Sequence, residues 1–176
     1  MPIEAETRAT PPVHFMGVAF ARLTQPEVIA EIRRRAGLAE FSYIVTPNVD
    51  HVVKLWPRRP DAHTGSFRAA YEGAALRICD SRILQRLGRL AGLRMPVIPG
   101  SDLTRYLVHH VFRTGDRIAI VGGKNHTVTV LKALFPGPDY IQYQPPMGVL
   151  DDESAMQDIV RFVTGARPNV TLFAIG

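Results

Sequence analysis

Two largely apolar runs in this chain end the same way. Phe41–Val45 stops at Thr46-Pro47-Asn48, and Ala74–Ile78 stops at Cys79-Asp80-Ser81. Each reads as a β-strand that meets polar residues and then opens a helix. A chain that repeats this unit folds as α/β with a mostly parallel sheet, flanked by helices. In an open sheet of that kind, ligands bind outside the carboxyl ends of the strands. Thr46, Asn48 and Asp80 would then share one rim, as a carboxylate and two uncharged hydrogen-bonding side chains.

The alternation continues along the chain. Val13–Ala21 reads as a first strand. Thr24-Gln25-Pro26-Glu27 is a helix start, with Thr as N-cap and Pro and Glu in the first turn, and Gly37 is its stop. A helix from about Asn48 to Trp56 ends at Pro57-Arg58-Arg59-Pro60, and another covers Ser66–Tyr71. Ser81–Ala91 is helical, with Ile83, Leu84, Leu87 and Leu90 on one side. Ser101–Phe112 is helical, and Arg117–Val121 is a strand closed by Gly122-Gly123. Thr127–Phe135, Tyr140–Tyr143, a helix from Asp151 to about Thr164 and the strand Val170–Ile175 complete the pattern. Residues 1–12 read as a flexible tail and 13–176 as a single α/β domain.

Composition narrows the function classes. The chain has 176 residues, enough for one domain with a sizeable core. No apolar run approaches the ~18–20 residues of a membrane span, and the N-terminus lacks the basic and apolar regions of a signal peptide. Cys79 is the only cysteine, which excludes an internal disulfide and a cysteine zinc cage and fits a reducing cytoplasm. Net charge is +5, and 18 of the 21 basic residues are arginine. Such a surface attracts phosphorylated substrates, anionic lipid or nucleic acid. Nucleic acid is not expected, because no aromatic-basic motif accompanies the charge.

Each candidate has a structural reading beside the chemical one. Asp80 could take a proton from an attacking hydroxyl, or Asp80 or Ser81 could merely cap the following helix. Both hold at once if Ser81 caps and Asp80 points outward. Thr46 and Asn48 could bind phosphate or sugar hydroxyls, yet Thr-Pro-Asn is also good turn chemistry. Arg82, Arg86 and Arg89, at i, i+4 and i+7, form a basic stripe for a diphosphate or an anionic membrane, or else a solvated helix back. Gly122-Gly123 could bring backbone N–H groups to a phosphate, or serve a tight turn. It matches neither the dinucleotide nor the P-loop fingerprint. The six histidines show no H-E-x-x-H spacing, no D-x-D pair is present, and there is no G-x-S-x-G elbow.

Taken in order, these pieces resemble the WecG/TagA/CpsF family of bacterial glycosyltransferases. The matching residues are Ile44–Asn48, Phe67–Ala75, Cys79–Leu84, Pro99-Gly100-Ser101-Asp102-Leu103, Ile118–Gly123 and Pro145-Pro146-Met147-Gly148. The Asp-Ser and Pro-Pro-Met-Gly wording is similar to the branch that builds exopolysaccharides. The resemblance implies a Rossmann-like domain and an inverting, metal-independent transferase that needs no cofactor. It would be of hexosyltransferase or N-acetylmannosaminyltransferase type. It would move a sugar from a UDP-sugar to a polyprenyl-diphosphate-linked acceptor at the cytoplasmic face of the membrane. Asp80 would be the catalytic base, with Thr46 and Asn48 beside it. Ser81, Arg82, Arg86, Gly122, Gly123, Met147 and Gly148 would contact substrate. A family arginine before Pro-Gly-Ser-Asp-Leu is Val97 here, with Arg94 nearby. The resemblance also implies a continuation beyond Gly176 into a Pro-x-Gln-Glu motif and a membrane-binding tail. A truncated domain is therefore expected, with an apolar edge at Phe173 and Ile175 prone to homo-oligomerise. The alternative is a catalytically incomplete module for nucleotide-sugar binding or assembly.

Overall fold

A computed structural model describes residues 11–57, 59 and 62–175. Most of the tail expected over residues 1–12, with Arg58 and Pro60, lies outside these. The chain divides into two compact units, one ending at Leu103 and one beginning at Thr104. Ile44–Val45 pairs in parallel with Leu76–Arg77, and Arg117–Gly122 with both Asp139–Tyr143 and Val170–Ala174, with helices between the strands, so the fold is α/β and Rossmann-like.

The first unit opens with a hairpin, β1 (Val13–Phe15) against β2 (Val18–Phe20), where the apolar pattern predicts one strand. The turn lies in the left-handed region at Met16 (φ 48°) and Gly17 (φ 73°). A Cβ on Gly17 would lie 2.2 Å from the Trp56 ring. That indole donates from Nε1 to the Met16 carbonyl at 2.9 Å. Glycine here answers both the backbone angle and the close approach.

Helix α1 (Gln25–Ala36) begins with the expected Thr24–Glu27 capping box, and the Thr24 N–H donates to the Glu27 carboxylate at 2.7 Å. Strands β3 (Ile44–Val45) and β4 (Leu76–Arg77) are adjacent and parallel, joined through α2 (Val49–Leu55) and α3 (Ala62–Glu72). Arg77 ties the edges together. Its guanidinium donates to the carbonyls of Ala19, Tyr71, Glu72 and Ala74. Phe20, Val52, Leu55, Tyr71, Cys79, Leu84 and Met95 form the buried core of this unit.

Helix α4 (Arg82–Leu90) departs from its pattern. Of the predicted apolar side, only Leu84 is buried; Gly88 is buried too, and Ile83, Leu87 and Leu90 face outward. Gly88 gives room to Met95, whose Cε would lie 2.7 Å from an added Cβ. Helix α5 (Gly100–His110) follows.

The second unit is a parallel sheet in the order β6–β5–β7. Its strands are β5 (Arg117–Gly122), β6 (Asp139–Tyr143) and β7 (Val170–Ala174). Ile118–Val121 are buried, as a central strand covered on both faces requires. Helix α6 (Thr127–Leu134) joins β5 to β6. A single 3₁₀ turn (Val149–Asp151) and α7 (Glu153–Ala166), capped by the Asp152 carboxylate, carry the chain back across β5 to β7. The strand order thus reverses direction at β5, and its carboxyl end lies at a topological switch point.

Candidate functional site

Thr46 and Asn48 follow β3, and Asp80 and Ser81 follow β4. Because the two strands are parallel neighbours, all four leave the sheet at one edge. Backbone pairing continues beyond the strands: Ile78 N–H donates to the Val45 carbonyl at 2.9 Å, and Asp80 N–H to the Pro47 carbonyl at 3.0 Å. The rim is fixed by ladder bonds and by buried Pro47.

Capping falls to the residues beside Asp80. The Ser81 hydroxyl accepts from Leu84 N–H at 3.2 Å and starts α4. The Asn48 side-chain oxygen accepts from His51 N–H at 3.1 Å and starts α2. That cap leaves the Asn48 NH2 group as a donor it does not use. Asp80 is not spent as a cap.

The Asp80 carboxylate instead accepts a hydrogen bond from the backbone N–H of Gly100, at the start of α5. A Cβ placed on Gly100 would lie 3.1 Å from the Thr46 hydroxyl and 3.5 Å from Asp80 Oδ2. Thr46 and Asp80 thus face the same glycine from two different strands. Burial pushes the Asp80 carboxyl above its ordinary range; the Gly100 N–H and the charge of His51 pull it back, and Asp102 pushes it up again. Desolvation wins, which makes Asp80 a stronger proton acceptor than an exposed aspartate.

His51 is the member that motif reading does not single out; Gly100 and Asp102 stand in the Pro99–Leu103 string, where the sequence assigns them no role. His51 lies three residues after Asn48, in the first turn of the helix leaving the rim, and that position is its only sequence signal. Its ring meets Phe67 and Tyr71 edge-on, with centroids 6.3 and 6.1 Å away. Its Nδ1 is buried and has no hydrogen-bond partner among the described residues. Burial pushes the Tyr71 hydroxyl up to about 12, so that ring stays neutral.

A cavity of about 480 Å³ adjoins α4, lined by Arg82, Arg86 and Arg89 with Gln25, Gln85, Val97 and Asp102. This is within the size range of small-molecule sites. Asp102 belongs both to the cavity wall and to the surroundings of Asp80. The three arginines have no acidic partner among the described residues, so their charge is available to an anion. Val97, where the resemblance implies an arginine, lies in the same wall.

The remaining candidates sit in the second unit. Gly122 (φ 90°) and Gly123 (φ 77°) turn sharply after β5. The Gly123 N–H donates to the Ala174 carbonyl at 3.2 Å, and the Gly122 carbonyl accepts from Gln142 Nε2 at 2.7 Å. The turn therefore bridges the ends of β5, β6 and β7. Met147 is almost wholly exposed, and Gly148 (φ 76°) precedes the 3₁₀ turn.

Residues 13–176 match the model of the glycosyl transferase WecG/TagA/CpsF family. The chain belongs to that family. It is a glycosyltransferase of cell-surface polysaccharide biosynthesis, a role that pairs a nucleotide-sugar donor with a lipid-linked acceptor. No curated protein matches the chain. Among the described residues, this family member has no cluster of three or more His, Cys, Asp or Glu placed to hold a metal ion. None of its described helices is long and apolar enough to cross a membrane.

Proposed function

We propose that this glycosyltransferase transfers a sugar from a UDP-sugar to a polyprenyl-diphosphate-linked acceptor, with inversion and without a metal ion. The observation that carries the reading is the freedom of Asp80. Ser81 takes the capping role, and the carboxylate is aimed by Gly100 beside the Thr46 hydroxyl. In a single displacement, the acceptor hydroxyl gives its proton to Asp80 as its oxygen attacks the anomeric carbon. The bond from that carbon to the UDP oxygen breaks, and UDP leaves with the bonding pair. Thr46 and the Asn48 NH2 group orient sugar hydroxyls or phosphate oxygens.

Charge grows on the leaving diphosphate, and cations or dipoles aimed at it lower the barrier. Arg82 and Arg86 line the cavity next to Asp102 and supply such cations, offsetting Val97. Within the second unit, the Gly122-Gly123 turn at the end of β5 is suited to a nucleotide, because it lies at a switch point. The reaction takes place at the cytoplasmic face of the membrane, in an exopolysaccharide or related pathway.

UDP affinity by calorimetry and UDP release with a lipid-linked acceptor test the reading together. Binding with turnover that persists in EDTA is the expected result. Binding without turnover would leave a nucleotide-sugar-binding module, and recovery of lost activity by magnesium or manganese would overturn the metal-independent mechanism.

A further inference from the structure

The apolar run that leads into β3 does not all enter the sheet. Strand β3 keeps only Ile44 and Val45, and Phe41 is 82% exposed. Its ring stacks on Tyr43 instead, with centroids 5.9 Å apart and planes inclined by 28°. Tyr43 is fixed in turn. Its hydroxyl donates to the Ala70 carbonyl at 2.6 Å, and a Cβ on Gly73 would lie 2.8 Å from the same hydroxyl oxygen. One face of Phe41 thus rests on an anchored ring, and the other is open.

A cavity of about 270 Å³ surrounds this pair, walled also by Arg35, Leu38, Glu40 and Ser42. It lies at the amino end of β3, and Thr46 lies at the other. Arg35 holds Glu31 through Nε at 2.7 Å, which leaves its terminal nitrogens as donors. Among the described residues, Glu40 and the Ser42 hydroxyl have no hydrogen-bond partner.

We infer that this cavity binds a sugar ring, stacked on the open face of Phe41, with its hydroxyls shared among Arg35, Glu40 and Ser42. The chemistry of the wall selects the ligand. Glu40 opposes an anion, and Arg35 opposes a cation. An apolar ligand would desolvate both charges without giving either a partner. A neutral polyol answers donor and acceptor together, because each hydroxyl both gives and accepts hydrogen bonds. The C–H groups of its ring meet the negative face of the aromatic. At about 270 Å³ the cavity falls just under the usual lower bound of about 300 Å³ for small-molecule sites, so it takes one ring and not a whole nucleotide-sugar. The inference rests on neither Asp80 as base nor UDP as leaving group. It gives the enzyme a place to hold a sugar away from the bond being made.

Glucose, mannose, N-acetylglucosamine and N-acetylmannosamine, each titrated into the isotope-labelled chain and followed by NMR, test the proposal. At least one should shift the backbone amides of residues 38–43 and 73–75 saturably. Phe41→Ala should weaken that binding about fivefold or more. Phe41→Trp should retain it and Phe41→Leu should lose it, since stacking needs a ring face. Glu40→Ala, at an exposed position, should also weaken binding, and it serves should the Phe41 variants misfold. All four variants should keep the parent's UDP affinity. No saturable shift with any of the sugars, shifts confined to residues 46–48, 80–81 and 100, or equal binding by Phe41→Leu would overturn the proposal. So would a parent dimer in sedimentation that Phe41→Ala dissociates while the sugars are ignored, because a second copy would then fill the cavity. Loss of UDP binding with the sugar shifts intact would count against the proposed reaction alone.

Discussion

The backbone N–H of Gly100 donates to the Asp80 carboxylate, and the absence of a side chain at Gly100 lets that contact sit beside Thr46. A methyl group added there would lie 3.1 Å from the Thr46 hydroxyl and 3.5 Å from Asp80 Oδ2. The first distance is tighter than ordinary packing, so Thr46 must yield by a few tenths of an ångström. Gly100→Ala should therefore lower kcat by about tenfold, as small displacements of reacting groups do. Melting temperature should barely move, because Gly100 has an ordinary helical role. A variant with unchanged kcat would show that the Thr46–Asp80 geometry is not limiting.

Asp80→Asn keeps the shape and the acceptor for Gly100 but cannot take a proton. Turnover should fall by about a hundredfold or more, with UDP affinity retained. The same change should raise stability. Burial holds the folded Asp80 carboxyl above its ordinary value of 3.8, so the folded state binds this proton more tightly than the unfolded chain does. The resulting cost is absent below the unfolded value and appears as pH rises through the folded one. Asp80→Asn should thus melt higher than the parent at neutral pH, with the advantage shrinking in acid. A parent that melts higher at neutral pH would refute this account.

His51 and Asp102 act on Asp80 with opposite signs. Replacing His51 by Gln removes a favourable charge, so the acid limb of the kcat/KM profile should move to higher pH. Asp102→Asn removes a repulsion and should move that limb to lower pH. Each shift should remain under about one unit, since both partners are one influence among several on a half-exposed group. A pH–rate profile of the two variants decides the matter. Shifts in the same direction would mean that Asp80 does not set the limb.

Much of this arrangement was legible in residue order, because strand ends and helix caps are local chemistry. Thr24 with Glu27 reads as a helix start and Ser81 as one of two cap candidates, and the structure uses both, while Asn48, read as turn chemistry, caps a helix as well. The outward side of α4 was not legible. Periodicity identifies a stripe, as at Ile83, Leu87 and Leu90, without saying which side packs. Here Gly88 and Leu84 face inward because Met95 occupies the space beside Gly88. The break at Met16-Gly17 was hidden for a similar reason, since a positive φ at methionine has no composition signal and depends on the indole of Trp56. His51 becomes visible only when β3 and β4 lie side by side.

Gly122 provides the sharpest separation of structure from chemistry in the second unit. Its φ of 90° falls where an L side chain is strained. An added Cβ would lie 2.5 Å from the Ala174 carbonyl oxygen and 2.8 Å from its carbon. Those are backbone atoms of β7, and they cannot rotate away as a flexible side chain would. Gly123 is also in the left-handed region, but its Cβ would meet only the Thr127 hydroxyl at 3.3 Å and Gln142 Nε2 at 3.4 Å, which are side-chain atoms able to give. Gly122→Ala should cost about 2 kcal/mol or more, combining the backbone strain with separation of β5 from β7. Gly123→Ala should cost only about 1–2 kcal/mol, mainly from the backbone angle. Urea denaturation of both variants gives the comparison. If the donor nucleotide lies over this turn, Gly123→Ala should also weaken UDP binding by more than its stability loss explains, measured well below the unfolding transition. Unchanged UDP affinity in a folded Gly123→Ala would assign the glycine pair to the turn alone.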